Sequence, residues 1–364
     1  MLVVLAHGEA IRSHRGIPSL EHLSIFHNGG LAVSFFFVLS GFLITTLLLR
    51  EVDSFGTVSV RMFYQRRCMR ILPLYFLLVI LGVGVIPVAL PIVGIDYQIS
   101  YAPWTTTVWY LALLPFVVNV YYDVFVIGPL WSIGVEEWYY LLVAPVVKYF
   151  ATTIRVVFAG VIVTKVIMLM LVDAHVIGGV HASFVTMLSF EHMAAGGITA
   201  LAVRHFRSRN ELQSPVQSKT WKLISWTLMT VLIVRLIAHE RIAATFPAFR
   251  FIVDSYAATS IMDMGLFSLL LYVIVIQPPL CTTKIAKWTE HLGEYSYGIY
   301  MYHNVVAFTL TFGLAAQWRV LSVLMGTTLY HILLATITIA IAAVSRHTFE
   351  EYFLRKQKRP VSLP

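Results

Sequence analysis

Charge is scarce in this sequence. Asp, Glu, Lys and Arg make up 12% of its 364 residues, about half the usual share of a soluble domain, which excludes an ordinary water-facing surface. Cysteine is nearly missing: Cys68 and Cys281 are the only two. They lie far apart, in no metal-ligand or redox spacing, which excludes a disulfide framework and a cysteine-based metal site, so no metal is expected. No polar stretch is long enough for a second globular domain. The short alternating segments of a membrane β-barrel are missing, as are internal repeats and low-complexity tracts. No basic leader precedes the first apolar residues, so the N-terminus does not read as a signal peptide.

What is present is 59% hydrophobic and comes in blocks of roughly 18 to 25 residues, the length that spans a bilayer. The apolar runs are 1–7, 31–49, 71–93, 104–122, 128–150, 156–172, 183–203, 220–238, 256–276, 297–315 and 320–344. If all of them crossed, the basic loops 50–70 and 204–222 would fall on opposite sides, against the positive-inside rule. Run 104–122 carries Thr105-Thr106-Thr107, Pro115 and Asn119, and reads as re-entrant or interfacial. Removing it leaves about ten spanning helices with both ends in the cytoplasm, and puts nineteen of the twenty-six Lys and Arg on the inner side. The expectation is an all-α, polytopic transmembrane domain filling residues 1–364, ending in a basic cytoplasmic tail, 346–364. Run 1–7 reads as the second half of a helix whose beginning is missing. The net charge of +8 then follows from topology and implies the lipid bilayer as partner, with no nucleic acid.

Against this apolar background, polar residues inside the runs are candidates for function. Glu136 lies in Gly128-Pro-Leu-Trp-Ser-Ile-Gly-Val-Glu-Glu-Trp-Tyr-Tyr. Ser132, four residues earlier, shares its helix face and is expected to donate a hydrogen bond to it, since no Gly-x-Ser-x-Gly elbow surrounds the serine. His7 closes Leu2-Val-Val-Leu-Ala-His and reads either as a helix-end histidine facing water or as a general base or acyl-accepting nucleophile. In Arg61-Met-Phe-Tyr-Gln-Arg-Arg-Cys-Met-Arg, much of the charge is topological anchoring. Arg67 and Arg70, three apart with Arg66 beside them, nonetheless form a guanidinium cluster suited to phosphate. Gly41, in Phe35-Phe-Phe-Val-Leu-Ser-Gly-Phe, reads as a packing residue that lets helices approach. His303, ending Ser296-Tyr-Gly-Ile-Tyr-Met-Tyr-His, reads first as a satisfied core histidine.

Taken in order, these segments resemble the integral-membrane acyltransferase-3 family. The family shows a histidine closing a first-span run, like Leu2–His7, and a Phe-Phe-Val-Leu-Ser-Gly-Phe-Leu block, like 36–43. An Arg-x-x-Arg pair leading into Ile-x-Pro-Leu-Tyr follows, matched by Arg67, Arg70 and 71–75. A Leu-Trp-Ser-x-x-x-Glu-x-x-Tyr block is matched by Leu130, Trp131, Ser132 and Glu136 with Tyr139 or Tyr140, and a Ser-Tyr-x-x-Tyr-x-x-His block by Ser296, Tyr297, Tyr300 and His303. Two features of the family are not matched: an Arg or Lys eleven residues before the first histidine, a position that would precede Met1, and a frequent hydrolase-like domain after the last span.

The resemblance implies a multi-pass protein of the bacterial inner membrane. It would transfer an acyl group, commonly acetyl, from cytoplasmic acyl-CoA to a hydroxyl of a carbohydrate, a lipid-linked glycan or another envelope acceptor, with no bound cofactor. It casts His7 and Glu136 as catalytic and Arg66, Arg67 and Arg70 as the acyl-CoA site, with Ser132, Trp131, Tyr140 and His303 in support. His7 either deprotonates the acceptor or carries the acyl group. Glu136 either charge-stabilises the histidine or binds the acceptor. The rival reading is a proton-coupled transporter or flippase for a glycan or glycolipid, because such proteins also bury His and Glu.

Overall fold

A computed structural model of the chain describes residues 1–92, 94, 103–122, 126–208, 219–237, 245–276 and 283–357. Every regular element among them is helical, because a chain in lipid must satisfy its backbone within its own segments. The first half comprises α1 (Leu2–His14), α2 (Ser24–His27), α3 (Gly29–Phe55), α4 (Val60–Val79), a π-helical segment (Ile80–Val85), α5 (Ile86–Ile92), α6 (Pro103–Leu111), α7 (Pro115–Tyr121), α8 (Leu130–Phe150) and α9 (Ile154–Asp173). The second half comprises α10 (Gly179–Met187), α11 (Phe190–Ser208), α12 (Lys219–Ile237), α13 (Pro247–Asp254), α14 (Tyr256–Ile276), α15 (Thr283–Gly313), α16 (Ala315–Val320) and α17 (Val323–Ser345). A second π-helical segment (Arg346–Glu350) and α18 (Glu351–Gln357) close the series.

The chain is a polytopic helical membrane protein. Five stretches among the described residues are long and apolar enough to cross a bilayer by length and composition: Gly29–Phe55, Val60–Ile92, Ile154–Asp173, Tyr256–Ile276 and Val323–Lys356. Helices α8, α11, α12 and α15 are also long, but more polar or with a shorter apolar part. Run 104–122 is split, as its Pro and Thr content implies. Leu113 adopts φ 58 and Pro115 opens α7, leaving helices of nine and seven residues, well short of the roughly 20 needed to span.

Several expected boundaries are corrected. The run 183–203 is two helices, α10 and α11, parted at Leu188 and Ser189. Helix α15 begins at Thr283 and runs for 31 residues, far ahead of the expected 297. The first half of the basic tail is helical through Gln357; its end, 358–364, and loop residues 209–218, on which the charge argument also drew, lie outside the described residues. Helix α1 does not stop at His7 but continues to His14. This carries Arg12 into a fully buried position.

The chain packs as two compact units, one of residues 1–29, 59–134 and 287–364, the other of 30–58 and 135–286. In the first, α1 lies on α17, with Val4, Ile11, Tyr330 and Leu334 in one apolar cluster. Arg12 adds a polar clamp: it pairs with Glu9, donates to the Thr327 hydroxyl at 2.7 Å, and lies 5.1 Å from the Tyr330 ring centroid. In the second, α11 packs on α9 and α14. A Cβ on Gly41 of α3 would come within 1.9 Å of the Met193 carbonyl oxygen, and one on Gly196 of α11 within 1.9 Å of the Val38 carbonyl oxygen. The two backbones touch through paired glycines, as small residues allow in membrane bundles, and the packing reading of Gly41 holds.

Candidate active site

The first unit brings together two histidines that are 296 residues apart. His7, on the middle of α1, places Nδ1 2.9 Å from Nε2 of His303 on α15, with the rings nearly parallel and their centroids 5.1 Å apart. His303 is fully buried, and its Nδ1 lies 2.5 Å from the Tyr300 carbonyl oxygen. A carbonyl can only accept, so His303 Nδ1 carries the hydrogen and its Nε2, in a neutral ring, presents a lone pair. His7 Nδ1 must then be the donor to that lone pair. What remains is Nε2 of His7, an unprotonated nitrogen whose tautomer is set by the ring behind it. Such a nitrogen can take a proton from a hydroxyl or attack an acyl carbon.

The chain of contacts continues from Tyr300. Its hydroxyl is 2.6 Å from Ser132 Oγ, and both hydroxyls lie within 3.2 Å of the Pro129 carbonyl. Two hydroxyl protons are shared among these three oxygens, so the middle of α15 is tied to the start of α8. The expected bond from Ser132 to Glu136 is corrected by this arrangement, because the serine is occupied by Tyr300 and Pro129. Trp131, beside it, is half-buried. Asn304, one residue past His303, donates to the Val126 carbonyl at 3.3 Å and fixes the same region.

Glu136 belongs to the other unit, where it is 4% exposed on α8. Tyr140, one turn on, is hydrogen-bonded to Ser40 of α3. Of the two tyrosines left open by the sequence, it is thus Tyr140 whose hydroxyl makes a cross-helix bond.

Arg66 and Arg67 are half-buried and Arg70 is exposed, all on the first three turns of α4. Arg67 Cζ lies over the Phe63 ring, 5.7 Å from its centroid. The helical part of the basic tail adds charge. Helix α18 packs on α4, bringing a segment with Arg355 and Lys356 to the same helix, and Glu350 feels both Arg346 and Arg70. Sequence reasoning also missed the Arg12–Glu9 pair. The i,i+3 spacing within one helix was its available signal. Among the described residues no group of His, Cys, Asp and Glu could hold a metal ion.

A family profile described as an acyltransferase domain matches residues 1–347. The chain belongs to this acyltransferase family. A protein of Staphylococcus aureus (strain COL), named by inference as an O-acetyltransferase, is 25% identical over 297 residues, covering 76% of this chain and 46% of its own length. A protein of strain MRSA252 with the same kind of name matches to the same extent. O-acetyltransferase OatA of Staphylococcus aureus (strain NCTC 8325 / PS 47) is 29% identical over 163 residues, covering 39% of this chain and 26% of its own length. The chain thus matches less than half the length of these curated relatives. No solved structure matches it.

Proposed function

We propose that this protein is a membrane O-acyltransferase of the inner membrane, moving an acyl group, commonly acetyl, from cytoplasmic acyl-CoA to a hydroxyl of a carbohydrate or other envelope acceptor. The observation that carries the reading is the single lone pair left at His7 Nε2 by the His303–Tyr300 relay. In the transfer, Nε2 takes the acceptor hydroxyl's proton as the oxygen attacks the thioester carbonyl. The carbon–sulfur bond breaks, and the imidazolium returns the proton to the departing CoA thiolate. The same lone pair serves an alternative route in which the acyl group rests on Nε2 before passing to the acceptor. CoA is a polyanion, and the guanidinium groups of Arg66, Arg67 and Arg70 are the phosphate-binding groups of this reading. Glu136 is the second catalytic residue, a buried carboxylate able to stabilise positive charge during transfer.

The test is direct. Purified full-length protein in nanodiscs is mixed with acetyl-CoA carrying a labelled acetyl group and a panel of sugars. The expected outcome is free CoA thiol and an ester on a sugar hydroxyl in equal amounts, both abolished when His7 is replaced. Sugar movement across a vesicle wall without thioester consumption would instead establish the transporter. A labelled acetyl group trapped on His7 would select the two-step route.

A further inference from the structure

Two sets of buried titratable groups stand outside the transfer reading. In the second unit, Lys165 of α9 lies 3.7 Å from Glu191 of α11, and Arg235 of α12 lies 3.5 Å from Asp263 of α14. Those charges answer one another across four helices, although Glu191, His192 and Asp263 also line a cavity. In the first unit, Glu9, Arg12 and His331 lie along the seam between α1 and α17. Here one member, His331, reaches from its own helix to the backbone of the other.

The His331 side chain is 10% exposed. Its Nδ1 is 2.9 Å from the Thr327 carbonyl oxygen, one turn back on α17, and its Nε2 is 3.2 Å from the Leu5 carbonyl oxygen of α1. Carbonyls only accept, so the imidazole is the donor to either one. Donating to both at once takes the doubly protonated ring, with Glu9 Oε1, 3.7 Å from Nδ1, as its counter-charge. Phe26 of α2 stacks on the ring with centroids 5.7 Å apart, and Tyr330 meets it edge-on at 5.3 Å. Both rings hold the plane of the imidazole.

The register of α1 gives this bridge its consequence. Leu5, Gly8, Glu9 and Arg12 recur at i, i+3, i+4 and i+7, and so form one stripe along the helix. That stripe faces α17. A Cβ on Gly8 would stand 3.0–3.1 Å from Leu334, His331 and Tyr330, and Arg12 donates to Thr327. His7 is two residues from Leu5, about 200° round the helix. It faces α15 instead, where its Nδ1 is 2.9 Å from His303 Nε2. Helix α1 is therefore held between two histidines, one on each side. A shift of about 1 Å toward or away from α17 would take the His7–His303 pair outside hydrogen-bonding range.

We propose that His331 is a positioning residue for the transfer reaction. It fixes α1 against α17, and so keeps His7 Nδ1 on His303 and His7 Nε2 free as the base. His331 touches no reacting atom and acts through His7. The kinetic part of the proposal rests on the transfer reading, whereas the effect on the His7 ring stands without it.

The ring is read directly by NMR. Full-length protein with ¹⁵N-labelled histidine rings is prepared in nanodiscs, and the His7 signals are assigned by their loss in His7→Ala. Wild-type protein is expected to show His7 with hydrogen on Nδ1 and the lone pair on Nε2. His331→Phe keeps a ring against Phe26 and removes both donors. It should turn the His7 pattern into a mixture of tautomers, and lower kcat about tenfold to a hundredfold with KM nearly unchanged. His331→Gln, whose amide brings two N–H groups, should recover the His7 pattern and part of the rate. Gly8→Ala pushes α1 from α17 with His331 intact, and should disturb the His7 signals in the same way. An unchanged His7 pattern in folded His331→Phe, a loss of thermal stability with kcat retained, or a loss confined to KM would each overturn the proposal. Should His331→Phe fail to fold, unchanged His7 signals in Gly8→Ala would overturn it instead. If the His7 pattern responds as expected but wild-type protein transfers no acetyl group, the transfer reading falls and the positioning of His7 remains.

Discussion

The two units bury polar groups on opposite terms. Around His7 the groups are neutral and consecutive: Tyr300 carbonyl, His303, His7, each hydrogen handed to one acceptor, with a single lone pair at the end. Around Glu191 the groups are charged and spread over four helices, with ion pairs held at 3.5–3.7 Å. A neutral relay specifies which nitrogen is basic and needs no counter-ion, which is what proton transfer requires. A buried set of opposite charges makes each helix depend on a counter-ion from another, which ties the helices together but specifies no basic nitrogen. Buried polarity by itself therefore does not identify chemistry; the state of its last unpaired atom does.

The largest expected effect breaks the relay at its end. His7→Ala should lower the transfer rate by about 10² to 10⁴, the usual worth of a general base, with acyl-CoA binding and thermal stability retained. A variant that transfers normally would remove His7 from the chemistry. The contrasting break in the second unit is structural. Lys165→Met should cost roughly 3–5 kcal/mol of stability, because it leaves Glu191 as an uncompensated buried charge. Chemical denaturation should show this, and Lys165→Met combined with Glu191→Gln should recover much of it.

His303→Phe sharpens the comparison by keeping an aromatic ring while deleting the lone pair that orders His7. The expected result is a fall of about ten- to a hundredfold in kcat with KM nearly unchanged, and a shifted pH profile; His303→Gln, whose carbonyl can still accept from His7 Nδ1, should restore part of the rate. A purely packing role would move stability without moving the pH profile. On the donor side, Arg67→Ala or Arg70→Ala should weaken acyl-CoA binding by about one to two orders of magnitude, from roughly 1.5–3 kcal/mol per charge-assisted bond, and by less at high salt. Unchanged affinity in a folded variant would reduce these arginines to topological anchors. The smallest effect is expected for Ser132→Ala, about 1 kcal/mol or roughly fivefold, because Tyr300 keeps the Pro129 carbonyl as a partner.

Much of the fold was legible because lipid leaves few choices. Long apolar runs had to be helices, Pro115 and three threonines marked the segment that splits, and Gly41 marked a close helix contact. The element ends were less legible, since the helix α1 pattern beyond His7 is interrupted by Glu9 and Arg12. These two satisfy each other only once α17 supplies Thr327 and the Tyr330 ring. Of the candidate site residues, His7 and the α4 arginines were visible from local spacing. The neighbouring Glu191 and His192 carried the same signal as Glu136, ionisable groups inside an apolar run, and were passed over.

From the sequence alone came the class of molecule, the family its motifs resemble and the residues able to do chemistry, because these depend on composition and on spacings of a few residues. Only the tertiary structure decided that His303 stands behind His7, that Ser132 answers to Tyr300 rather than Glu136, and that Glu191, His192 and Asp263 share a cavity. Each of those pairings joins side chains from helices distant in sequence, and a hydrogen bond depends on a separation of about 3 Å that no local pattern encodes.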